Sequence, residues 1–375
     1  MLVYKFLPLL LLTVFHSIAQ ALDYTYTTNN GAITITSYTG SGGDVSIPGT
    51  INDLPVTTIE DYAFDGCANL TSIIIPDSVT SDLKMTFSGC SGLTNVTIGS
   101  GVTTIAAGAF YGCTSLPHIT LPDSVTTIGY GKPFSQCTSL TNIIFGSGVK
   151  YIDFGVAKQS PLTAITVDED NVDFSSVNGI LFNKDQTTLF QYPAGKVSRS
   201  YAIPGSVTTI GDYAFDGCGL ASITISDTVT NIGHSAFGVS DGLNGVYFRG
   251  NAPSLVSTST FLPYEEPQPF DNSPNVIVYY LPGTMGWGAM FGERPTAVWK
   301  PRIEVKNESF GTSTNQFGFN IVWASGQEIV VEANASLTNS VWQSLKTNTL
   351  SSDSLYFSDT QWTNYPSRFY RISSP

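Results

Sequence analysis

One phrase returns along this chain every 22 to 24 residues wherever the rhythm holds. Residues 63–67 read AFDGC, echoed by TFSGC at 86–90, AFYGC at 109–113, PFSQC at 133–137 and AFDGC at 214–218. Phe64, Phe87, Phe110 and Phe134 stand 23, 23 and 24 residues apart, and so do Cys67, Cys90, Cys113 and Cys137. A second phrase precedes it: IPDSVT at 75–80, LPDSVTTIG at 121–129, IPGSVTTIG at 203–211 and ISDTVTNIG at 225–233. Self-similarity at this period marks a solenoid, in which one supersecondary unit stacks on copies of itself. Such an architecture presents an extended surface, so binding is favoured over catalysis.

Residues 93–116 show how one unit is built. Leu93, Val96 and Ile98 follow the spacing L-x-x-V-x-I, which predicts a short strand with Thr97 turned outward. Gly99-Ser100-Gly101 turns the chain, as Pro-Asp-Ser or Pro-Gly-Ser does in other coils. Val102 and Ile105 mark a second extended arc. Ala109, Phe110, Cys113 and Leu116 then fall at i, i+1, i+4 and i+7, which predicts a helical turn for the return arc. No coil can cover its own apolar residues, so stacking is obligatory.

The phrase I-P-x-S-V-T-x-I-G-x-x-A-F-x-x-C-x-x-L, repeated over roughly 56–250, resembles the BspA-like class of leucine-rich repeats. The resemblance implies a leucine-rich-repeat solenoid of short parallel strands and helical turns. It also implies a non-enzymatic surface protein of a class found in bacteria and some protists, some of whose members recognise host or matrix proteins. Two coils depart from the pattern: Ser81-Asp82-Leu83-Lys84 replaces T-x-I-G, and Ala157 takes a phenylalanine slot. Both are expected to be locally irregular.

The flanks break the rhythm. Between 163 and 202 no A-F-x-x-C phrase occurs, and Gly179 to Phe182 with Thr188 to Tyr192 read as an inserted hairpin. Residues 22–55 and 251–300 are expected to cap the two ends, because a solenoid must cover its terminal cores. Residues 301–375 alternate short apolar runs with Asn/Ser/Thr turns and read as a small all-β, sandwich-like domain. That segment resembles a C-terminal module accompanying such repeats in some exported bacterial proteins.

Residues 1–21 read as a signal peptide. Lys5 supplies the positive start, Phe6 to Val14 is nearly unbroken apolar sequence, and Ala19-Gln20-Ala21 is a small-x-small cleavage site. Secretion or cell-surface location follows. No later stretch is long enough to span a bilayer, so no membrane insertion is expected. Loss of Lys5 takes the net charge from −13 to −14. An acidic chain without basic runs argues against nucleic acid as a partner. Five cysteines in an exported chain raise the question of disulfides. All five, however, occupy one slot of the repeat, where Ser160 and Ser240 stand in other coils, so a column of small buried free thiols is expected.

Strings that hint at chemistry have plainer readings. Gly238-x-Ser240-x-Gly242 matches a nucleophile elbow, yet Ser240 sits in the cysteine slot, where its hydroxyl faces inward. Ser81-x-x-Lys84 matches a separate nucleophile motif, S-x-x-K, but lacks its S-D-N and K-T-G partners and sits in a connecting arc. His118 and His234 lie in distant coils, and no Cys/His spacing fits a metal. The acidic run Asp168 to Asn171 with Asp173 could hold calcium, but Val172 breaks the alternation of ligands. No cofactor, metal or catalytic residue is therefore expected.

What remains is the outward side of the strands. One column reads Ser72, Asn95, His118, Asn142 and Ser222, and the other Ile74, Thr97, Thr120, Ile144 and Thr224. This face is the expected site for a protein partner. A glycan held by Trp323, Trp342 and Trp362 of the terminal domain is the alternative, although such residues more often form a core.

Overall fold

The computed structural model describes residues 23–374 apart from 130, 154, 158–159, 259–266, 306–308, 314–315, 324–325 and 339–340. The expected export leader lies outside the described residues. The chain winds as a solenoid whose face strands pair in parallel. Ladders join 43–46, 70–74 and 95–97, then 118–121, 142–145 and 164–167. A second, narrower set of parallel pairs joins 104–105, 127–128 and 151–152. Inside, Phe64, Phe87, Phe110 and Phe134 are fully buried and stack at centroid distances of 5.1, 5.5 and 5.8 Å. The hairpin of Tyr24–Asn29 and Ala32–Tyr38 covers the first coil, with Tyr38 stacked on Phe64 at 5.0 Å.

The return arc is not helical. Among the described residues the sole helical element is a short 3-10 turn, Trp362–Asn364. Along residues 108–113 alternate amides go to different places. Ala109, Tyr111 and Cys113 N–H donate three residues back within the arc, to Ala106, Gly108 and Phe110. Gly108, Phe110 and Gly112 N–H instead donate to the carbonyls of Gly131, Pro133 and Ser135 in the next coil, at 3.1, 2.9 and 3.0 Å. An α-helix needs every amide bonded four residues back, and stacking takes every second one. The i, i+1, i+4, i+7 pattern is the inward side of a chain of tight turns. Gly66, Gly89 and Gly112 carry φ near +70°, a conformation that glycine adopts without a Cβ clash. Gln136, Val239 and Asn272 occupy the same slot at φ 58°, 48° and 53°.

Loops between coils are tied crosswise as well. The aspartate of Pro-Asp-Ser accepts the serine or equivalent N–H of the next turn, Asp77 from Ser100 at 2.7 Å and Asp123 from Ser147 at 2.8 Å. Threonine hydroxyls at strand entry donate to the preceding coil, as Thr94 does to the Thr71 carbonyl at 2.9 Å. The Ser/Thr/Asp richness of the chain is thus partly a lateral hydrogen-bond lattice.

Between 174 and 191 the winding changes. Strands 174–177, 180–183 and 188–191 form an antiparallel meander whose last strand pairs in parallel with 209–210. The core divides there: one cluster runs from Tyr24 to Leu181, another from Ile180 to Val278. In the second block Tyr192 takes the phenylalanine slot, stacked on Phe215 at 5.3 Å. The slots fill again after the repeat phrase has faded from the sequence, with Phe270 stacked on Phe237 at 5.3 Å and Ser273 in the cysteine position. The second face sheet runs 200–202, 222–225, 245–248, 277–280 and 294–298.

The terminal domain has two small antiparallel sheets, one around 316–322 and one around 328–334. Phe319, Ile321, Trp323, Ile329, Val331 and Phe357 fill the space between them, joined by Leu281 of the solenoid. Arg368 and Asp359 form a buried ion pair at 2.7 Å.

Candidate binding face

Period-two alternation on each face strand sends one set of side chains into the core and the other outward. Ile119, Leu121, Ile143 and Phe145 are buried, whereas His118 and Thr120 are exposed and Asn142 and Ile144 half-exposed. Register then aligns the outward residues across coils. Asp44, Ser72 and Asn95 form one run, and His118, Asn142 and Ala164 another. Beside them lie Ser46, Ile74 and Thr97, then Thr120, Ile144 and Thr166. Eight of the ten residues expected on the face therefore share the first block. Ile74 is 44% exposed between polar neighbours.

Ser222 and Thr224 do not join these columns. The meander at 174–191 separates them, and their neighbours are Ser200 and Gly245, and Ala202 and Tyr247. Here the face changes character. Tyr247 stacks on Tyr279 at 4.7 Å, and Trp299 lies 5.0 Å from Tyr247. These rings and the terminal domain bound a cleft of about 470 Å³ lined by Ser222, Thr224, Arg302 and Asp353 among others. Burial and the adjacent Tyr279 raise the Tyr247 phenol above its usual range, with Arg302 acting against them. Tyr247 stands in the outward slot of Leu243-x-x-Val246-x-Phe248, one coil after Thr224, but Tyr279 and Trp299 lie beyond the repeat phrases, so the cleft was not legible in the sequence.

The strings that hint at chemistry are accounted for by packing. Ser240 is buried, and its hydroxyl donates to Gly238 and Phe215 carbonyls at 3.0 and 3.3 Å. Ser81 donates to the Ile59 carbonyl, and Lys84 pairs with Asp61 at 2.7 Å. In the acidic loop, Lys184 Nζ donates to the Glu169 and Asn171 backbone carbonyls. Asn171 is itself buried and bonds both chain segments around it. Among the described residues no group of three or more His, Cys, Asp or Glu side chains could hold a metal. Trp323 is spent in the terminal core and Trp342 lies under the Arg371 guanidinium at 4.5 Å.

All five cysteines are free; four are buried as expected, whereas Cys67, in the first coil, is only half-buried. A family model described as the BspA type leucine rich repeat region matches six copies, over residues 57–186 and 191–264. This chain belongs to the BspA-type leucine-rich repeat family. Membership implies a protein-binding or surface role for the repeat scaffold. Among solved structures, a leucine-rich repeat protein from Eubacterium ventriosum is 22% identical with a TM-score of 0.49, over 68% of this chain and 75% of that one. A leucine rich cell surface protein from Faecalibacterium prausnitzii is 22% identical with a TM-score of 0.41, over 70% and 88%. The pneumococcal vaccine antigen PcpA is 18% identical with a TM-score of 0.45, over 74% and 96%. No curated protein was found to match. Among the described residues no helix is long and apolar enough to cross a membrane.

Proposed function

We propose that this chain is an exported, non-enzymatic BspA-type protein that adheres to another protein through the first-block sheet face. One observation carries the reading: the inward residues of 43–167 are fixed by packing, whereas the outward ones form aligned, uncharged columns after Asp44. Side chains of that kind contribute little to stability, and a solenoid that uses them to bind does so without disturbing its core. Ile74 and Ile144 add apolar surface to an otherwise polar sheet, which favours contact with a protein. The alternative, glycan capture by the terminal tryptophans, is weakened by Trp323 being in the core and Trp342 being covered by Arg371.

The test is a binding screen of the mature chain against extracellular-matrix proteins and glycans, repeated with Ile74→Asp plus Ile144→Asp. The double variant is expected to keep its stability within about 1 kcal/mol, as surface changes do, and to lose about tenfold or more in affinity for a protein partner. Full affinity in the folded variant would exclude this face.

A further inference from the structure

We propose that the cleft between the second-block face and the terminal domain binds a short saccharide carrying a carboxylate. Its volume of about 470 Å³ lies within the range of small-ligand sites, roughly 300–1,000 Å³. Three features define what fits. The first is an aromatic wall. Tyr279 stacks against one side of Tyr247 with the rings 8° from parallel, and the strand register places Thr224 on the opposite side. Gly245 makes the ring's position possible, because a Cβ there would stand 2.7 Å from Tyr247 Cε2. Such a ring offers its face to the C–H side of a pyranose.

The second feature is the floor, where Ser222 and Thr224 supply small hydroxyls suited to a sugar's own hydroxyls. The third is charge. Lys300 and Arg302 line the same cleft, and among the described residues neither pairs with a carboxylate. Asp353 is already engaged by Arg249 at 2.8 Å. In a chain with 16 cations and 29 acids, this is a local reversal of sign. A guanidinium favours a carboxylate through charge-assisted, often bidentate hydrogen bonds. An acidic peptide side chain would satisfy the cations alone and leave the ring and the hydroxyl floor unmatched. The site lies apart from the first-block columns, so its failure leaves the adhesion reading standing.

The experiment is calorimetric titration of the mature chain with a glucuronate-containing disaccharide, its neutral methyl ester and a hexaglutamate peptide. Saturable binding of the acid is expected, with the ester and the Arg302→Gln variant each about tenfold weaker, the scale of one lost charge-assisted contact. Arg302 is exposed, so the variant should fold as the parent does, and Tyr247→Phe checks that the ring rather than its hydroxyl matters by retaining affinity. The proposal is overturned by absent binding at millimolar acid, by equal affinity for acid and ester, by an unaffected Arg302→Gln, or by hexaglutamate binding as tightly as the disaccharide.

Discussion

At the scale of the residue, the cysteine slot shows what the repeat selects. Cys90, Cys113 and Cys137 Sγ donate to the carbonyls of Phe64, Phe87 and Phe110 at 3.1, 3.2 and 3.0 Å. Ser160, Ser240 and Ser273 make the same bond to Phe134, Phe215 and Phe237. The slot takes a small side chain with a proton to give. Cys113→Ser should therefore cost about 1 kcal/mol or less, whereas Cys113→Leu should cost about 1–3 kcal/mol by overpacking, both read from urea denaturation. Burial also raises the Cys90 and Cys137 thiols to about 12, and the Cys113 and Cys218 thiols upward. Above the unfolded thiol value of about 8.5, the unfolded chain loses protons that the fold retains, so stability falls by roughly 1.4 kcal/mol per pH unit for each buried thiol. That stability is complete below the unfolded value and is lost as pH rises toward about 12. Urea midpoints should drop steeply between about pH 8 and about pH 10, less so in Cys113→Ser; a flat profile would contradict the burial of the column. One position before the cysteine slot, Val239 holds φ 48° where Gly66, Gly89, Gly112 and Gly217 stand in other coils. A β-branched residue there costs about 1–2 kcal/mol, so Val239→Gly should raise the unfolding midpoint.

At the scale of the element, each coil depends on its neighbours for hydrogen bonds as well as for cover. Phe110 is sandwiched between Phe87 and Phe134, and its N–H bonds the next coil. Phe110→Ala should cost about 3–5 kcal/mol and loosen the adjoining coils first, which amide exchange resolved by residue would detect. The strands and their inward residues were legible because period two and the recurring Phe and Cys slots are direct consequences of packing. The return arc was not, since i, i+1, i+4, i+7 spacing describes which side chains point inward and not where the amides go. Lateral bonding to the next coil decides that, and no single coil displays it. The glycines at 66, 89 and 112 were the available clue, as a helix interior has no use for φ near +70°.

At the scale of the molecule, the solenoid is two stacked blocks with a meander between them. The interruption was visible as a missing phrase, but its consequence was not: the ten residues aligned as one face divide into eight and two. The return of the rhythm at Phe270, Ser273 and Val276 was hidden because the sequence before it is rich in proline and carries no repeat phrase. The junction with the terminal domain was equally hidden, because Leu281 enters the terminal core and Trp323 Nε1 donates to the Trp299 carbonyl at 3.4 Å across a point where composition changes sharply. In the proposed function, the first-block face is the surface that meets a partner. His118 is exposed at the middle of that face, while His234 lies in another coil with its Nδ1 accepting from Gln268. Mass-spectrometric footprinting with diethyl pyrocarbonate, with and without a bound protein partner, reads the two histidines separately. Shielding of His118 with His234 unchanged is the expected result; undiminished labelling of His118 in the saturated complex would place the contact elsewhere.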